Sequence, residues 1–384
     1  MTYVTYDRRF PTVSPALSIV VCRRRRATVI NRLAKSSPKF ARPSAKPHPS
    51  KAESVASRGG ASAADAVGAG FLTVVAWRQE AVTQQRTLAQ RVACTGLGLH
   101  TGQPVRLSLS PARVNTGIRF IRHTDGVEYE TPVIAGSVSA THHATTLGCG
   151  DASVSTVEHL LASLHGLQIH NAIVGVDGPE VPVMDGSAEA FVHLIETAGV
   201  YEQHEVQPVL RIDRKVEFRS EGRSISIEPA RHFQISYRID FKHPTIGVQQ
   251  IEIDRLNPAI FQAEIARART FGFLEEVEAL QRAGLGLGGS LGNTVVLDRN
   301  GVMNPGGLRF GDEFVRHKVL DLMGDLALLG APVVGRVRVD RGGHALHYGL
   351  VLEVLAQSSS WTMVGESVRG VKKITAPNSG VPSL

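Results

Sequence analysis

The feature that most constrains the fold is an order of predicted elements that occurs twice along the chain. From Thr87, segments of alternating apolar and polar residues predict strands, and a helix is predicted to start near Ser155. After a polar linker near 202–207 the order of strands followed by helices returns. The repeat is one of architecture and not of sequence. It predicts an α+β protein with two halves of similar size, residues 84–203 and residues 204–368.

An extra unit interrupts the second half between Phe273 and Asp298. Its sequence predicts a helix over 274–283, a Gly-rich turn over 284–290 and a strand over 294–297. Insertions of this kind often carry binding residues, so the unit is a candidate for substrate contacts. The turn lacks the residue pattern of a phosphate-binding loop.

The net charge of +7 is concentrated at the N-terminus, because residues 1–83 carry 14 Lys and Arg against 4 Asp and Glu. Residues 84–384 are therefore slightly acidic, which gives no support for a nucleic-acid-binding face. The first 83 residues lack sustained periodicity and predict a disordered basic arm. An organelle transit peptide, a genuine basic tail and a start codon assigned too far upstream all explain such an arm. Residues 369–384 are predicted to form a flexible tail.

Cysteine usage and hydropathy indicate the compartment. Cys22, Cys94 and Cys149 show neither pairing nor metal-binding spacing, which is typical of a reducing compartment. No apolar run approaches the roughly 18 residues of a membrane-spanning helix. The block Arg23–Arg26 follows an apolar patch instead of preceding it, unlike a secretory signal. We therefore expect a cytoplasmic protein, or an organelle matrix protein if the arm is a transit peptide.

Two pairs of residues suggest a metal site. His317 and Asp321 lie four residues apart in a predicted helix and project from one face, and Glu158-His159 adds a second imidazole. Two imidazoles and one carboxylate leave a fourth position of zinc open for water, whose proton an adjacent Glu could take. Spacing alone leaves simpler alternatives open. They are a solvated ion pair for the first two residues, a helix capping box for Ser155 and Glu158, and a core histidine for His159.

Seven motifs occur in order between about Gln84 and about Val354, and as a set they resemble UDP-3-O-acyl-N-acetylglucosamine deacetylases, zinc enzymes of lipid A synthesis. The motifs are GLHTG at 98–102, STVEHL at 155–160, VMDGS at 183–187, ARTFGF at 268–273, GGS at 288–290, FVRHKVLDLMGD at 314–325 and GHAL at 343–346. An ordered set is far more specific than any one motif.

The resemblance implies a Zn²⁺ ion bound by His159, His317 and Asp321, with Glu158 as the general base. Zinc lowers the pKa of its bound water from 15.7 to about 7, so a nucleophile is available at neutral pH. Glu158 then needs only to receive the proton.

The resemblance also implies three further catalytic groups. His344 is the electrostatic or general-acid partner, Asp325 is the group that orients it, and Thr270 is a donor to the oxyanion of the tetrahedral intermediate. A carboxylate beside His344 favours the imidazolium form. Two candidates, Glu158 and His344, stay open for the acid that protonates the leaving amine.

Substrate contacts are implied as well. The implied residues are Lys318 and Phe271 near the glucosamine, Arg341 near the diphosphate, and Leu99, Phe273 and Val277. Arg341 stands where the family often has Lys and keeps the charge. The inserted unit is expected to wall a narrow apolar passage for the acyl chain, of a length that the sequence leaves open. The adjacent His142 and His143 are expected to lie in a strand, on opposite faces, and to bind no metal.

The resemblance implies two similar β-α-α-β domains in a layered sandwich, with helices between two sheets and a small inserted subdomain in each. The implied reaction is zinc-dependent hydrolysis of the N-acetyl group of UDP-3-O-(3-hydroxyacyl)-N-acetylglucosamine to the free amine and acetate. We expect a monomer that binds no nucleic acid. The alternative is a catalytically silent protein that binds nucleotide sugars or acyl chains on the same fold.

Overall fold

The computed structural model describes residues 83–365 and the short segment Arg23–Arg25. Apart from that segment and Thr83, the predicted disordered arm over 1–83 lies outside the described residues, as does the predicted tail over 369–384. Within the described ranges, no helix is both long and apolar enough to cross a membrane.

The first half is built on a six-stranded mixed sheet. Its elements are β1 (Arg23–Arg25), β2 (Gln84–Leu88), β3 (Val92–Leu97), β4 (Pro104–Pro111), β5 (Ile118–Thr124), β6 (Val127–Pro132), β7 (Val138–Ala140), β8 (Thr146–Leu147), α1 (Glu158–Gly166), β9 (Ala172–Val176), α2 (Glu189–Ala198) and β10 (Val200–Val206), with 3₁₀ turns at Ala135–Ser137 and Gly150–Ala152. The sheet order is β1-β6-β5-β9-β4-β3, in which only β5 and β9 run parallel. β10 pairs with β2 beside it.

The second half is built on a five-stranded mixed sheet. Its elements are β11 (Val209–Ile212), β12 (Val216–Ser220), β13 (Arg223–Glu228), β14 (Gln234–Asp240), β15 (Val248–Ile253), α3 (Pro258–Ile260) continued by a π-helical turn (Phe261–Ile265), β16 (Phe271–Phe273), α4 (Leu274–Arg282), β17 (Val295–Leu297), α5 (Glu313–Leu326), β18 (Val333–Val334), β19 (Arg336–Asp340), α6 (His344–Ala356) and β20 (Trp361–Val364), with 3₁₀ turns at Ala327–Leu329 and Ser358–Ser360. The order β12-β13-β19-β14-β15 again contains one parallel pair, β14 with β19.

Side-chain alternation explains how the second sheet buries one face. Ile225 and Ile227 of β13 are fully buried, and they stand opposite Val339 and Val337 of β19. Because successive side chains of a strand point to opposite faces, these four residues form one apolar patch. The helix α6 packs against this region of the sheet, on β12 and β13.

The helices form the layer between the two sheets. α2 packs on β3 of the first sheet, α5 and α6 pack on the second sheet, and α1 packs against α5. Twelve of the 14 residues of α5 and eight of the 9 residues of α1 are buried, as expected for helices covered on all sides. The predicted α+β sandwich with helices between two sheets is confirmed.

The inserted unit is a β-α-β element, in which α4 connects the parallel strands β16 and β17. Its predicted helix and strand are confirmed to within one residue at each end. Its Gly-rich turn rests on the loop 98–102 of the first half, where Gly288 N donates to Leu99 O at 3.0 Å. A Cβ atom on Gly288 would lie 2.1 Å from Gly98 O, so this contact requires glycine.

The entry into α1 differs from its prediction. The helix starts at Glu158 and not near Ser155, because Thr156 has a φ of 57°, in the left-handed region. The capping-box interpretation is also wrong. Ser155 Oγ accepts a hydrogen bond from Thr146 Oγ1 at 3.0 Å, and no side chain caps the helix.

Candidate metal centre

Three side chains suited to metal binding converge where α1 contacts α5. His159 comes from the first turn of α1, while His317 and Asp321 lie one turn apart on α5. His159 Nε2 is 3.6 Å from Asp321 Oδ1, and His317 Nε2 is 3.3 Å from the same oxygen. No member of the trio is more than 3% exposed, so the interpretation as a solvated ion pair is wrong.

These separations fit a single zinc ion. Ligand atoms about 2.0–2.1 Å from a tetrahedral zinc ion lie roughly 3.4 Å from one another. His317 Nδ1 lies 3.1 Å from Ala268 O and must donate to it, which leaves the Nε2 lone pair for a metal. Burial lowers the pKa of His317 to about 3, so the ring is neutral, as a ligand must be.

Asp321 is held in its ionised form. Burial opposes this, but the Lys318 ammonium and the neighbouring His317 keep the pKa of Asp321 well below its ordinary value. Lys318 Nζ donates to Asp321 Oδ2 at 2.9 Å, so one oxygen faces the lysine and the other faces the two imidazoles. The carboxylate therefore offers Oδ1 to a cation without first losing a proton.

Glu158 lies beside the trio in the first turn of α1. Burial raises the pKa of its carboxyl group, against the opposing influence of His344 and His159. Its Oε2 accepts the Thr145 backbone N–H at 3.1 Å, and its Oε1 lies 3.8 Å from His344 Nε2. A buried carboxylate with a raised pKa, fixed at one oxygen, suits a general base.

His344 is oriented by Asp325 of α5. Its Nδ1 lies 2.8 Å from Asp325 Oδ2, and Asp325 Oδ1 accepts the Thr145 hydroxyl at 2.6 Å. Burial opposes protonation of His344, but the carboxylates of Asp325 and Glu158 raise its pKa to about 10. The pKa of Asp325 lies at about 2, because the two histidines that donate to it outweigh the effect of burial. At neutral pH the pair is an imidazolium and a carboxylate.

Phe271 of β16 and Lys318 of α5 border the trio, and Thr270 immediately precedes Phe271 in the chain. Thr270 is held between Gly186 O, to which its N–H donates at 2.8 Å, and Val295 N, which donates to its carbonyl at 2.8 Å. The ring centroids of Phe271 and His317 are 6.3 Å apart. Lys318 Nζ lies 5.5 Å from the centroid of the Phe271 ring.

The other predicted substrate contacts lie in the loop 98–102, in the inserted unit and after β19. Leu99 meets the Gly-rich turn of the inserted unit, Phe273 packs on Phe241 at 6.1 Å between ring centroids, and Val277 is half-buried on α4. Arg341 donates to Asp340 Oδ2 at 3.0 Å and to Gly222 O. Among the described residues, no hydrogen bond or ion pair links it to the metal-binding trio.

The residues His142 and His143 lie in a bend, so their predicted position in a strand is wrong. His143 has a φ of 63°, and the two rings are 4.0 Å apart edge to face. Neither belongs to a group of potential metal ligands among the residues that the structure describes.

Sequence reasoning missed Thr145, His347 and Glu180. Thr145 joins Glu158 to Asp325, although it lies 180 residues from the latter, and no local pattern signals such a contact. His347 lies one turn after His344 in α6, and its Nδ1 is 2.8 Å from Asp325 Oδ2. The spacing of three residues between the two histidines was an available signal.

Glu180 is a fully buried carboxylate that joins two segments of the site. It accepts hydrogen bonds from the His100 N–H at 3.0 Å and from the Thr101 N–H and hydroxyl at 3.0 Å each. It also accepts from the Thr156 hydroxyl at 2.9 Å, just before α1. The loop 98–102 and the entry to the helix that carries Glu158 are thereby fixed to each other.

Comparisons with known proteins agree on one family. The model of the family described as UDP-3-O-acyl N-acetylglycosamine deacetylase matches residues 85–356. A protein named UDP-3-O-acyl-N-acetylglucosamine deacetylase from Oleidesulfovibrio alaskensis is 50% identical over 268 residues, which cover 70% of this chain and 87% of the relative. A protein of the same name from Anaeromyxobacter dehalogenans is 45% identical over 300 residues, covering 78% of this chain and 96% of the relative.

Proposed function

Because this chain belongs to the family of UDP-3-O-acyl-N-acetylglucosamine deacetylases, we propose that it hydrolyses the N-acetyl group of that acylated UDP sugar in lipid A biosynthesis. We further propose that the reaction needs zinc and that His159, His317 and Asp321 hold it. The observation that carries the proposal is this buried trio beside the carboxylate of Glu158, whose Oε1 lies 3.8 Å from the imidazolium Nε2 of His344.

The donor set favours zinc over magnesium and calcium. Two imidazoles and one carboxylate suit zinc, whereas magnesium and calcium prefer sites made of oxygen ligands. When bound, a divalent ion of this kind supplies Lewis-acid chemistry, which polarises a carbonyl group and lowers the pKa of water to about 7.

Glu158 acts as the general base in this proposal. The Thr145 N–H fixes its Oε2, so Oε1 is the oxygen that receives the proton of the attacking water. Burial raises the pKa of Glu158, which strengthens it as a proton acceptor. The carboxylate is not in the trio that binds the metal, so it stays free to change its protonation state.

His344 places a positive charge opposite Glu158 and acts as the general acid. Its Nδ1–H is committed to Asp325, which leaves Nε2–H to donate to the oxyanion and then to the leaving amine. Burial opposes protonation of His344, but the carboxylates of Asp325 and Glu158 raise its pKa, so it holds the proton that the leaving amine needs. Thr270, at the border of the site, is the proposed second donor to the oxyanion.

Lys318 and Phe271 are proposed to contact the glucosamine, because they stand beside the trio and next to each other. Leu99, Phe273 and Val277 are proposed to line the path of the acyl chain, since all three belong to or touch the inserted unit. Arg341 is proposed to meet the diphosphate. Its pairing with Asp340 must open for that contact.

The nucleotide-activated substrate suggests a bacterial cytoplasmic location, where such sugars are made. The monomeric state expected from the sequence stays a prediction, which light scattering of the purified protein tests. The two halves proposed from the sequence, residues 84–203 and 204–368, likewise stay a prediction.

The test is release of acetate from the acylated UDP sugar by the full-length protein, before and after treatment with a chelator and after addition of zinc. Activity is expected to disappear with the metal and return with zinc. Glu158→Gln is expected to lower kcat by about 10²–10⁴-fold while retaining bound zinc, and Asp321→Ala is expected to lose both. Binding of the sugar without release of acetate by the zinc-loaded wild type would instead favour the silent binding protein.

A further inference from the structure

Asp325 receives hydrogen bonds from three side chains, and the proposed reaction uses only one of them. Thr145 Oγ1 donates to Oδ1 at 2.6 Å, while His344 Nδ1 and His347 Nδ1 both lie 2.8 Å from Oδ2. His347 is fully buried, and it shares the acceptor Asp325 Oδ2 with His344. Its Nε2 lies 3.0 Å from the hydroxyl of Tyr237.

The hydrogen-bond directions in this group follow from the donors available. A carboxylate can only accept, so both imidazoles carry a proton on Nδ1. Burial lowers the pKa of His347, so its ring is neutral and its Nε2 accepts from Tyr237. Tyr237 therefore donates to His347, and His347 donates to Asp325. Tyr237, His347 and Asp325 are each at most 1% exposed, so water does not compete for these bonds.

The ring planes of His344 and His347 are 84° apart. The two N–H groups therefore come from nearly perpendicular rings and share the same acceptor, Asp325 Oδ2. With Thr145 on the other oxygen, the carboxylate cannot rotate about its own bond to Cβ without breaking a buried hydrogen bond. Without the His347 donor only Thr145 and His344 hold the carboxylate, so its orientation, and with it the direction of His344, is fixed less tightly.

The absence of a side chain at Gly342 leaves space for the hydrogen bond between Tyr237 and His347. A Cβ atom on Gly342 would lie 2.4 Å from the Tyr237 hydroxyl and 2.8 Å from His347 Nε2. The hydrogen bond between these side chains thus occupies the volume that any larger residue at 342 would need.

We infer that His347 is a positioning residue for the proposed deacetylation. Its Nδ1–H fixes the Asp325 carboxylate in the orientation that aims His344 Nε2 at Glu158. The inference rests on the proposed function, and His347 itself touches no reacting atom.

The test compares two substitutions that differ in the donor. His347→Asn keeps an N–H close to the position of Nδ1, and His347→Leu has similar volume but no donor. We expect His347→Leu to lower kcat by about 10–100-fold with KM within about threefold of wild type, and His347→Asn to recover most of kcat. The control is His170→Leu, which removes a buried imidazole that accepts from Arg86 N at 2.9 Å, away from the site.

Two kinetic results would overturn the inference. One is a wild-type kcat in His347→Leu, and the other is an equal loss of kcat in both substitutions, since the donor would then be irrelevant. If the wild type released no acetate, the proposed function would fail. In that case the hydrogen bond from His347 Nδ1 to Asp325 is tested by NMR of the ¹⁵N-histidine-labelled full-length protein. A strongly downfield imidazole N–H must disappear in His347→Asn or His347→Leu, and its absence from the wild type overturns the inference.

Discussion

At the contact between α1 and α5, a substitution of Gly324 by Ala is expected to affect folding stability in two opposite ways, through helix propensity and through overpacking. Gly324 lies in the last turn of α5, and a Cβ atom there would lie 2.1 Å from Glu158 O and 2.8 Å from Glu158 Cα. Carbon–oxygen contacts in proteins fall at about 3.3–3.6 Å. Gly324→Ala therefore requires the two helices to separate by about 1 Å.

The magnitude follows from two competing terms. Replacing Gly by Ala inside a helix stabilises it by about 0.8–1.0 kcal/mol when the side chain meets nothing. Overpacking costs about 1–3 kcal/mol, and the upper end applies because the obstacle is backbone and cannot rotate away. We expect a net loss of about 2 kcal/mol, which lowers the melting temperature by roughly 4–8 °C in a domain of this size.

We expect Gly324→Ala to lower kcat by more than the loss of folding stability alone would explain. Glu158 and His159 lie on one helix of this pair, and His317 and Asp321 lie on the other. A displacement of about 1 Å between reacting groups can cost about 10²-fold in rate, so kcat is expected to fall by about that factor at temperatures where the variant is folded.

The melting temperature is measured by thermal unfolding and kcat by acetate release, both on zinc-loaded protein. The matched control is Gly136→Ala, because no atom lies within 4 Å of the Cβ position there. A Gly324→Ala protein with raised melting temperature and normal kcat would refute the reasoning, since helix propensity alone would then describe the site.

Two further predictions concern buried charges. In metal-free protein the pKa of His344 is raised from 6.5 to about 10, so its contribution to stability is present below pH 6.5 and is lost as the pH rises to about 10. His344→Gln should flatten the decline of the unfolding free energy over that interval, and an unchanged slope would argue against the assignment. Glu313, at most 1% exposed, pairs with Arg269 at 2.8 Å, and Glu313→Ala should cost about 3–5 kcal/mol in urea unfolding. An equal loss in the double variant Arg269→Met, Glu313→Leu would show that the unpaired charge is not the cause.

Local patterns were sufficient for most of the fold. The inserted helix, the strands of the second sheet and the start of α6 at His344 were predicted because periodicity and turn residues mark them. The entry to α1 was misplaced for a physical reason. The capping-box residues suggested a helix from Ser155, but the buried carboxylate of Glu180 holds Thr156 in the left-handed region through a contact 24 residues away.

The candidate site also contains some residues that could be predicted from local sequence and some that could not. The trio and Glu158 were predicted because short motifs place them and the family resemblance orders those motifs. Thr145 was not, since its hydroxyl reaches Asp325 only once the two halves are assembled. His142 and His143 show the opposite error, because their position in the chain suggested a strand that the bend at His143 prevents.

The backbone contacts between the halves limit how this protein can be recombined with its relatives. A Cβ on Gly186 of the first half would lie 1.9 Å from Asn293 O of the second, and Gly288 meets Gly98 O with as little room. A chimera that joins the first half of one relative to the second half of another must therefore keep glycine at positions 186 and 288. Because the facing atoms are backbone oxygens, this requirement holds whichever relative supplies the facing segment.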